Sequence, residues 1–370
     1  MNPIDPFGPV VRRRGTLDRS LAALAHGRLT VGFLGGSITT PQNGARWPEP
    51  LVGWLTDAFP GARISVENAA LGATGSDVAA FRAQSEIIAR DCDLVFVEYA
   101  ANDFDESSAK RARTREGLLR QLLQDGERDV VIVYTYCPQM QAEMFADAVP
   151  TSIAEFEALA EHYGLSSVWM ALHALREVRR GLLTWEEWLP DGLHPEKRGS
   201  LAYAQSVISL LTEALAPAGR TGAAPPKRTL PPASVSGAWE QVRILPFSAV
   251  DWAGPWSVQR WKNCLGLDRV LLSTAPGARV CLAFSGRGLL VAFDFGKTSG
   301  EIRHRMDGGE WKVTLRDCPP WVGDCGWLRP LLIDEALPPG PHQFELETLP
   351  GDAFANRGTR TAIGFFGVIE

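Results

Sequence analysis

The sequence lacks three features that would each indicate a particular class of protein. Basic residues are not in excess, because 37 Lys and Arg stand against 43 Asp and Glu for a net charge of -6, so neither a nucleic acid nor an anionic membrane is an expected partner. No uncharged apolar run reaches about 18 residues, the length of a membrane-spanning helix. The first 14 residues hold three arginines and no apolar segment typical of a signal peptide. We therefore expect a cytoplasmic protein.

Cysteines are few and scattered. Six are present, without any Cys-x-x-Cys pair, and this distribution favours reduced thiols over a disulfide framework or a zinc site. They are Cys92, Cys137, Cys264, Cys281, Cys318 and Cys325. Only Cys318 and Cys325 lie close enough in sequence to suggest a pair. We expect free thiols, no metal and no cofactor.

The chain of 370 residues is long enough for about two domains. After an N-terminal segment, residues 1–27, apolar runs alternate with segments of helical periodicity up to residue 215, which predicts a three-layer α/β/α domain around a parallel sheet. Strands are predicted at residues 29–34, 63–67, 94–99 and 130–135, with a weaker one at 167–170. Helices are predicted at residues 47–59, 77–90, 113–123, 153–162, 172–180 and 197–215.

The pattern changes after residue 215. Residues 216–237 are rich in proline, glycine and small polar residues, which is typical of a linker. Residues 238–370 contain short apolar runs separated by turn residues, which predicts an antiparallel β-sandwich of jelly-roll type. Strands are predicted at residues 278–284, 288–293, 301–306, 311–315, 342–348 and 362–369, with an Asp307-Gly308-Gly309 turn.

Polar residues follow three predicted strands of the first domain. Ser37 comes after two glycines at the end of the first strand, Gly72 lies beyond the second, and Asn102 follows the third. Asp191 and His194 lie three residues apart before the last helix. Because the carboxyl ends of parallel strands meet at one edge of a sheet, we expect these groups to lie together. A serine beside an imidazole is an activated nucleophile.

This order of motifs resembles that of the SGNH hydrolases, the GDSL-like esterase and lipase superfamily, over about residues 28 to 215. The resemblance implies that Ser37 is the nucleophile, His194 its general base, and Asp191 the group that orients the imidazole. It also implies an oxyanion hole formed by the backbone N–H groups of Ser37 and Gly72 and by the side-chain amide of Asn102.

Two positions depart from the pattern of that family. Gly36 stands where many members have aspartate, and Ala100 takes the place of the usual glycine. Neither change removes a proton carrier or an oxyanion donor, although the first could alter how the serine turn is held. Asp103, next to Asn102, is expected to support its loop by hydrogen bonding.

Other functions compete with that of a serine esterase. A dinucleotide fold is disfavoured, because the glycines after the first strand do not reproduce G-x-G-x-x-G. A glycosidase with paired acids stays open, as do an acyltransferase that uses the same triad and a glycan-binding protein without turnover. The acids that could serve a glycosidase are Glu98, Asp103, Asp105, Glu106 and Asp191.

The substrate expectation comes from the second domain. Jelly-roll sandwiches accompany the catalytic domain in several carbohydrate deacetylases of the family that the sequence resembles, which implies an O-acetylated saccharide as partner. Trp185 and Trp188, just before Asp191, are candidates for the wall of the substrate pocket. Nothing in the sequence determines whether the chain forms a homo-oligomer.

Overall fold

The computed structural model describes residues 7–41, 46–216, 229–314, 318–351 and 358–370. The chain divides into two compact units, Met1–Glu240 and Gln241–Glu370. The domain boundaries expected from the sequence, with a linker over residues 216–237, stay a prediction. Most of that linker, residues 217–228, lies outside the described residues.

The first unit is a three-layer α/β/α structure, as predicted. Its six-stranded sheet has the order β1-β6-β5-β4-β2-β3, and its strands are parallel except β1, which pairs antiparallel with β6. The strands are β1 (Val11–Arg12), β2 (Arg28–Gly35), β3 (Arg63–Asn68), β4 (Leu94–Glu98), β5 (Asp129–Val133) and β6 (Ser166–Val168). The α-helices are α1 (Asp18–Ala25), α2 (Pro48–Ala58), α3 (Ser76–Glu86), α4 (Ser108–Leu123), α5 (Gln141–Phe145), α6 (Thr151–His162), α7 (Met170–Arg179), α8 (Trp185–Trp188) and α9 (Lys197–Ala214).

The central strands β4 and β5 are buried at every residue. This burial explains their nearly continuous apolar sequences, since a parallel strand covered by helices on both faces has no side exposed to water. Helix α4 begins five residues before its predicted start, because the hydroxyl of Ser107 accepts a hydrogen bond from the backbone N–H of Lys110 and caps the helix. The two-residue strand β1 was not predicted.

The segment before residue 241 packs on helix α4. Trp239 is fully buried, and the carboxylate of Glu116 accepts hydrogen bonds from the backbone N–H groups of Ser234, Val235 and Ser236. Residues 229–240 therefore belong to the first compact unit, whereas the sequence placed residues 229–237 in a linker and began the second domain at residue 238.

The second unit consists of two antiparallel sheets, as predicted. One has the order β15-β12-β17-β10-β9 with β7 also paired to β17, and the other has the order β14-β13-β16-β11-β8. The strands are β7 (Val242–Leu245), β8 (Asp251–Ala253), β9 (Ser257–Arg260), β10 (Arg269–Ser273), β11 (Arg279–Gly286), β12 (Gly288–Phe295), β13 (Ile302–Met306), β14 (Lys312–Val313), β15 (Trp327–Asp334), β16 (Gly340–Thr348) and β17 (Thr361–Ile369).

Alternating residues of the two sheets form the core of the second unit. Along β11, for example, Val280, Leu282 and Phe284 are buried while the residues between them are more exposed. The predicted turn joins β13 to β14, with Asp307 and Gly308 in left-handed conformations at φ of 52° and 69°. The predicted strand at residues 311–315 is shorter, and residue 315 lies outside the described residues.

All six cysteines are free in the structure. Within the described ranges, none of the helices combines the length and the apolar character needed to cross a bilayer.

Candidate active site

The serine turn begins where β2 ends. The carbonyl oxygen of Gly36 accepts hydrogen bonds from the backbone N–H groups of Thr39 and Thr40, both at 3.0 Å, so the chain reverses direction directly after Ser37. Both preceding glycines lie in tight surroundings. A Cβ at residue 35 would lie 2.8 Å from the hydroxyl oxygen of Thr39, and one at residue 36 would overlap the side-chain amide of Asn102. The side chain of Asn102 therefore occupies the space that a side chain at position 36 would need.

Ser37, His194 and Asp191 form an unbroken chain of hydrogen bonds. The Oγ of Ser37 lies 2.7 Å from Nε2 of His194, and Nδ1 of His194 lies 2.7 Å from Oδ2 of Asp191. The other carboxylate oxygen of Asp191 accepts from the backbone N–H groups of His194 at 2.7 Å and Leu193 at 2.9 Å. The Asp191 side chain thus binds both the backbone and the ring of the loop that carries His194.

The electrostatics of this loop determine where its protons lie. Burial acts to raise the pKa of Asp191, but hydrogen bonds from the backbone and ring of His194 and from the Leu193 N–H lower it to about 2. A carboxylate can only accept, so Nδ1 of His194 carries a proton and Nε2 is left to accept from the hydroxyl of Ser37. This arrangement can transfer the serine proton to the imidazole.

The three predicted oxyanion donors are brought together. A Cβ at Gly72 would lie 3.5 Å from the Cβ of Ser37, so this glycine lies beside the serine. A hydrogen bond of 2.9 Å from the N–H of Leu71 to the carbonyl of Gly35 joins the two segments. The side chain of Asn102 packs over Gly36 on the same turn.

Asp103 supports the loop that follows β4 by hydrogen bonding, as the sequence predicted. Its carboxylate accepts from the backbone N–H and hydroxyl of Ser76, at 2.9 and 2.8 Å, and from Nε of Arg115 at 2.9 Å. Both charged side chains are buried. Since Ser76 begins α3, just after the Gly72 segment, Asp103 ties together the two segments that carry Gly72 and Asn102.

Arg46 is a residue near the site that no pattern in the sequence predicts. Its Nη1 donates to the carbonyl oxygen of Pro195 at 2.9 Å, immediately after His194. A cavity of about 400 Å³ is lined by Arg46, Pro190, Asp191, His194 and Glu196. No sequence signal indicated Arg46, because its relation to the histidine loop depends on a contact across 149 residues.

The two candidate pocket tryptophans differ. Trp188 is fully buried and packs against Tyr136, Trp185 and Tyr203, so the expectation that it lines the substrate pocket is wrong. Trp185 is partly exposed. It contacts Phe145 of α5, whose ring is 54% exposed and was not singled out from the sequence.

The sequence matches no protein-family model and no curated protein. The structure is similar to that of a two-domain esterase active on acetylated mannans, co-crystallised with mannopentaose, with a TM-score of 0.81 at 20% identity over 97% of this chain and 96% of that one. A second structure of a two-domain esterase active on acetylated mannans has a TM-score of 0.80 at 20% identity, with the same coverage. This likeness confirms the predicted fold, an α/β domain followed by a β-sandwich.

Proposed function

We propose that the protein is a serine esterase that removes acyl groups, in the first place acetyl groups, from a carbohydrate. The observation that carries the proposal is the hydrogen-bonded chain from Ser37 through His194 to Asp191, with 2.7 Å at each step. It lies at the carboxyl end of β2, the edge at which open α/β sheets bind their ligands.

In the first half of the reaction, Oγ of Ser37 attacks the acyl carbon while Nε2 of His194 takes its proton. The carboxylate of Asp191 stabilises the imidazolium that results. The backbone N–H groups of Ser37 and Gly72 and the amide of Asn102 donate to the oxyanion. The sugar hydroxyl then leaves with the proton from His194.

In the second half, water attacks the acyl-serine and gives its proton to the same imidazole nitrogen. Collapse of the second tetrahedral intermediate releases the acid and returns the proton to Ser37. A sugar hydroxyl in place of water would give acyl transfer by the same steps, so the admission of water to the site distinguishes a hydrolase from a transferase.

A glycosidase is less consistent with the carboxylates at this edge. Glu98 is fully buried among hydroxyl and N–H donors, and Asp103 is buried in an ion pair with Arg115. Glu106 pairs with Lys110 on the surface. A carboxylate mechanism needs two acids that reach the glycosidic oxygen and the anomeric carbon, and these three are engaged elsewhere.

The substrate class is the finer part of the proposal. The structural likeness over both units to an esterase active on acetylated mannans supports an O-acetylated polysaccharide or oligosaccharide. The partly exposed Trp185 and the exposed Phe145 provide aromatic surface of the kind that stacks on sugar rings. We also propose a cytoplasmic location, with imported oligosaccharides as substrates.

The test is acetate release from a panel of acetylated mannan, xylan and cello-oligosaccharides by the wild type and by Ser37→Ala. We expect release by the wild type on at least one sugar and none by the folded variant. Circular dichroism of both proteins controls for folding. Release that persists in Ser37→Ala, or no release on any ester, contradicts the proposal.

A further inference from the structure

Glu98 is a buried carboxyl group that the mechanism above does not use. It is the last residue of β4, adjacent to the end of β2, where Gly35 pairs with it across the sheet. Its side chain is fully buried. Burying a carboxyl group costs free energy unless its oxygens are hydrogen-bonded. The hydrogen-bond partners of Glu98 therefore indicate its role.

Three donors converge on Glu98. Its Oε2 accepts from the backbone N–H of Gly36 at 3.3 Å and from the hydroxyl of Thr39 at 3.2 Å. Its Oε1 lies 2.6 Å from the hydroxyl of Thr135. The residues that contact Oε2 stand on either side of Ser37. One oxygen atom therefore holds the serine turn at both ends.

The direction of the hydrogen bond from Thr39 is fixed by a fourth group. The hydroxyl oxygen of Thr39 accepts from Nε1 of Trp47 at 3.0 Å, and its own hydrogen is then directed to Glu98. The indole is fully buried, so this chain from Trp47 through Thr39 to Glu98 is shielded from water. Glycine at position 35 permits it, because a Cβ there would lie 3.0 Å from Oε2 of Glu98.

We propose that Glu98 is a positioning residue, whose Oε2 holds the turn from Gly36 to Thr39 and thereby keeps the hydroxyl of Ser37 in line with His194. The inference rests on the proposed esterase function and deepens it. Glu98 does not contact the reacting atoms. It acts through the backbone N–H of Gly36 and the side chain of Thr39.

This role needs an acceptor at Oε2 rather than a negative charge. Among the described residues, Glu98 forms no ion pair with a lysine, arginine or histidine, and burial raises its pKa to about 7 despite the bonds from Thr135, Gly36 and Thr39. A protonated carboxyl can donate from Oε1 to the hydroxyl of Thr135, which also accepts. Oε2 keeps both of its donors in either form.

Two substitutions separate the acceptor from the charge. Glu98→Met keeps the side-chain length but removes both oxygens, and we expect kcat to fall by about 10²-fold with little change in KM, because a misplaced nucleophile slows the chemical step. Glu98→Gln keeps an acceptor at Oε2 and supplies an N–H to Thr135. We expect it to recover kcat to within about tenfold of the wild type.

Glu116→Met is the matched control. Glu116 is another fully buried carboxylate of the first unit, which accepts from the N–H groups of Val235 and Ser236 away from Ser37. Its loss is expected to lower thermal stability without lowering kcat. Rates are referred to the number of active sites titrated by the burst of p-nitrophenol from p-nitrophenyl acetate, so that unfolded protein does not count.

The inference is overturned if Glu98→Met keeps kcat within twofold, if Glu98→Gln is as slow as Glu98→Met, or if Glu116→Met slows turnover equally. Should Glu98→Met fail to fold, Thr39→Val, which removes the second donor and is similar in shape, is expected to lower kcat about tenfold, and an unchanged kcat overturns the proposal. A wild type without acetate release refutes the proposed function itself, which is a different result from wild-type activity that is insensitive to Glu98.

Discussion

Each of the two units contains a histidine paired with an aspartate. In the first unit, Nδ1 of His194 lies 2.7 Å from Asp191, and in the second, Nδ1 of His342 lies 2.7 Å from Asp307. The two pairs differ at the opposite ring nitrogen. Nε2 of His194 faces the hydroxyl of Ser37 at 2.7 Å, whereas Nε2 of His342 faces the carbonyl oxygen of Pro338 at 2.7 Å.

On this one difference we assign His194 the proposed role of a base and His342 that of a structural clamp. A carbonyl and a carboxylate only accept hydrogen bonds, so His342 satisfies both when both of its nitrogens are protonated. Accordingly, two hydrogen bonds raise the pKa of His342, of which the bond to the Pro338 carbonyl has the larger effect and the bond to Asp307 the smaller. The hydroxyl of Ser37 can donate, so His194 faces it with a free lone pair and can take a proton. A histidine and aspartate pair alone therefore does not identify a catalytic site.

The largest effect is expected when the first unit loses His194 or the serine that it faces, Ser37. We expect Ser37→Ala and His194→Ala each to reduce kcat for acetyl esters by at least about 10⁴-fold, as in other serine triads. His342→Ala should leave kcat unchanged, because its ring faces no nucleophile. Steady-state kinetics of the three purified variants checks this. Equal losses at His194 and His342 would refute the assignment.

Substitution of Asp191 should lower kcat, whereas substitution of Asp307 should not. Asp191→Asn disturbs the proton on Nδ1 of His194, and we expect a loss of kcat of about 10²-fold to 10⁴-fold. Asp307→Asn should lower the thermal midpoint and leave kcat unchanged, since Asp307 also accepts from the backbone N–H of Gln343. Kinetics and thermal unfolding measured on both variants would show whether the effects separate.

Asn102 belongs to the first unit and is proposed as an oxyanion donor. We expect Asn102→Ala to lose about 10²-fold to 10³-fold in kcat while the protein stays folded, as is typical for the loss of one such donor. Unchanged turnover in the folded variant would remove Asn102 from the oxyanion hole. Circular dichroism and kcat on p-nitrophenyl acetate are the two measurements needed.

The smallest effect concerns stability against pH. A histidine whose folded pKa is raised contributes stability that is fully present below its unfolded value, 6.5, and is lost as the pH rises through the folded value. The pKa of Asp307 is lowered by the backbone N–H of Gln343 and by His342, so its contribution is lost in acid. As the pH rises above 6.5, we expect the thermal midpoint of the wild type to fall more steeply than that of His342→Ala. Parallel curves for the two proteins would argue against the clamp.

The sequence predicted the residues of the site better than what surrounds them. Ser37 and His194 were found because glycines after a strand and a short acid-to-imidazole spacing are local patterns. Glu98 was noted only as an acid that could serve a glycosidase, since its contact with Gly36 spans 62 residues. Trp188 could not be recognised as a core residue, because tryptophan occurs in both pockets and cores.

Three of the five strands missed in the second unit have a physical explanation too. All three residues of β8 and all four of β9 are exposed, so no buried alternation exists for sequence reasoning to detect. Strand β15 contains Pro330 and lies at the edge of its sheet, where a missing N–H is tolerated. The α/β unit was easier to predict because its central strands are buried on both faces.

The most direct test of the account is a search for the acyl-enzyme itself. The protein is mixed with p-nitrophenyl acetate, quenched in acid and digested, and the peptides are analysed by mass spectrometry. We predict one acetyl group on Ser37 of the wild type, and none on that peptide in Ser37→Ala or His194→Ala. An enzyme that turns over the ester with no acetyl on Ser37, or with its acetyl group on another residue, would contradict the account.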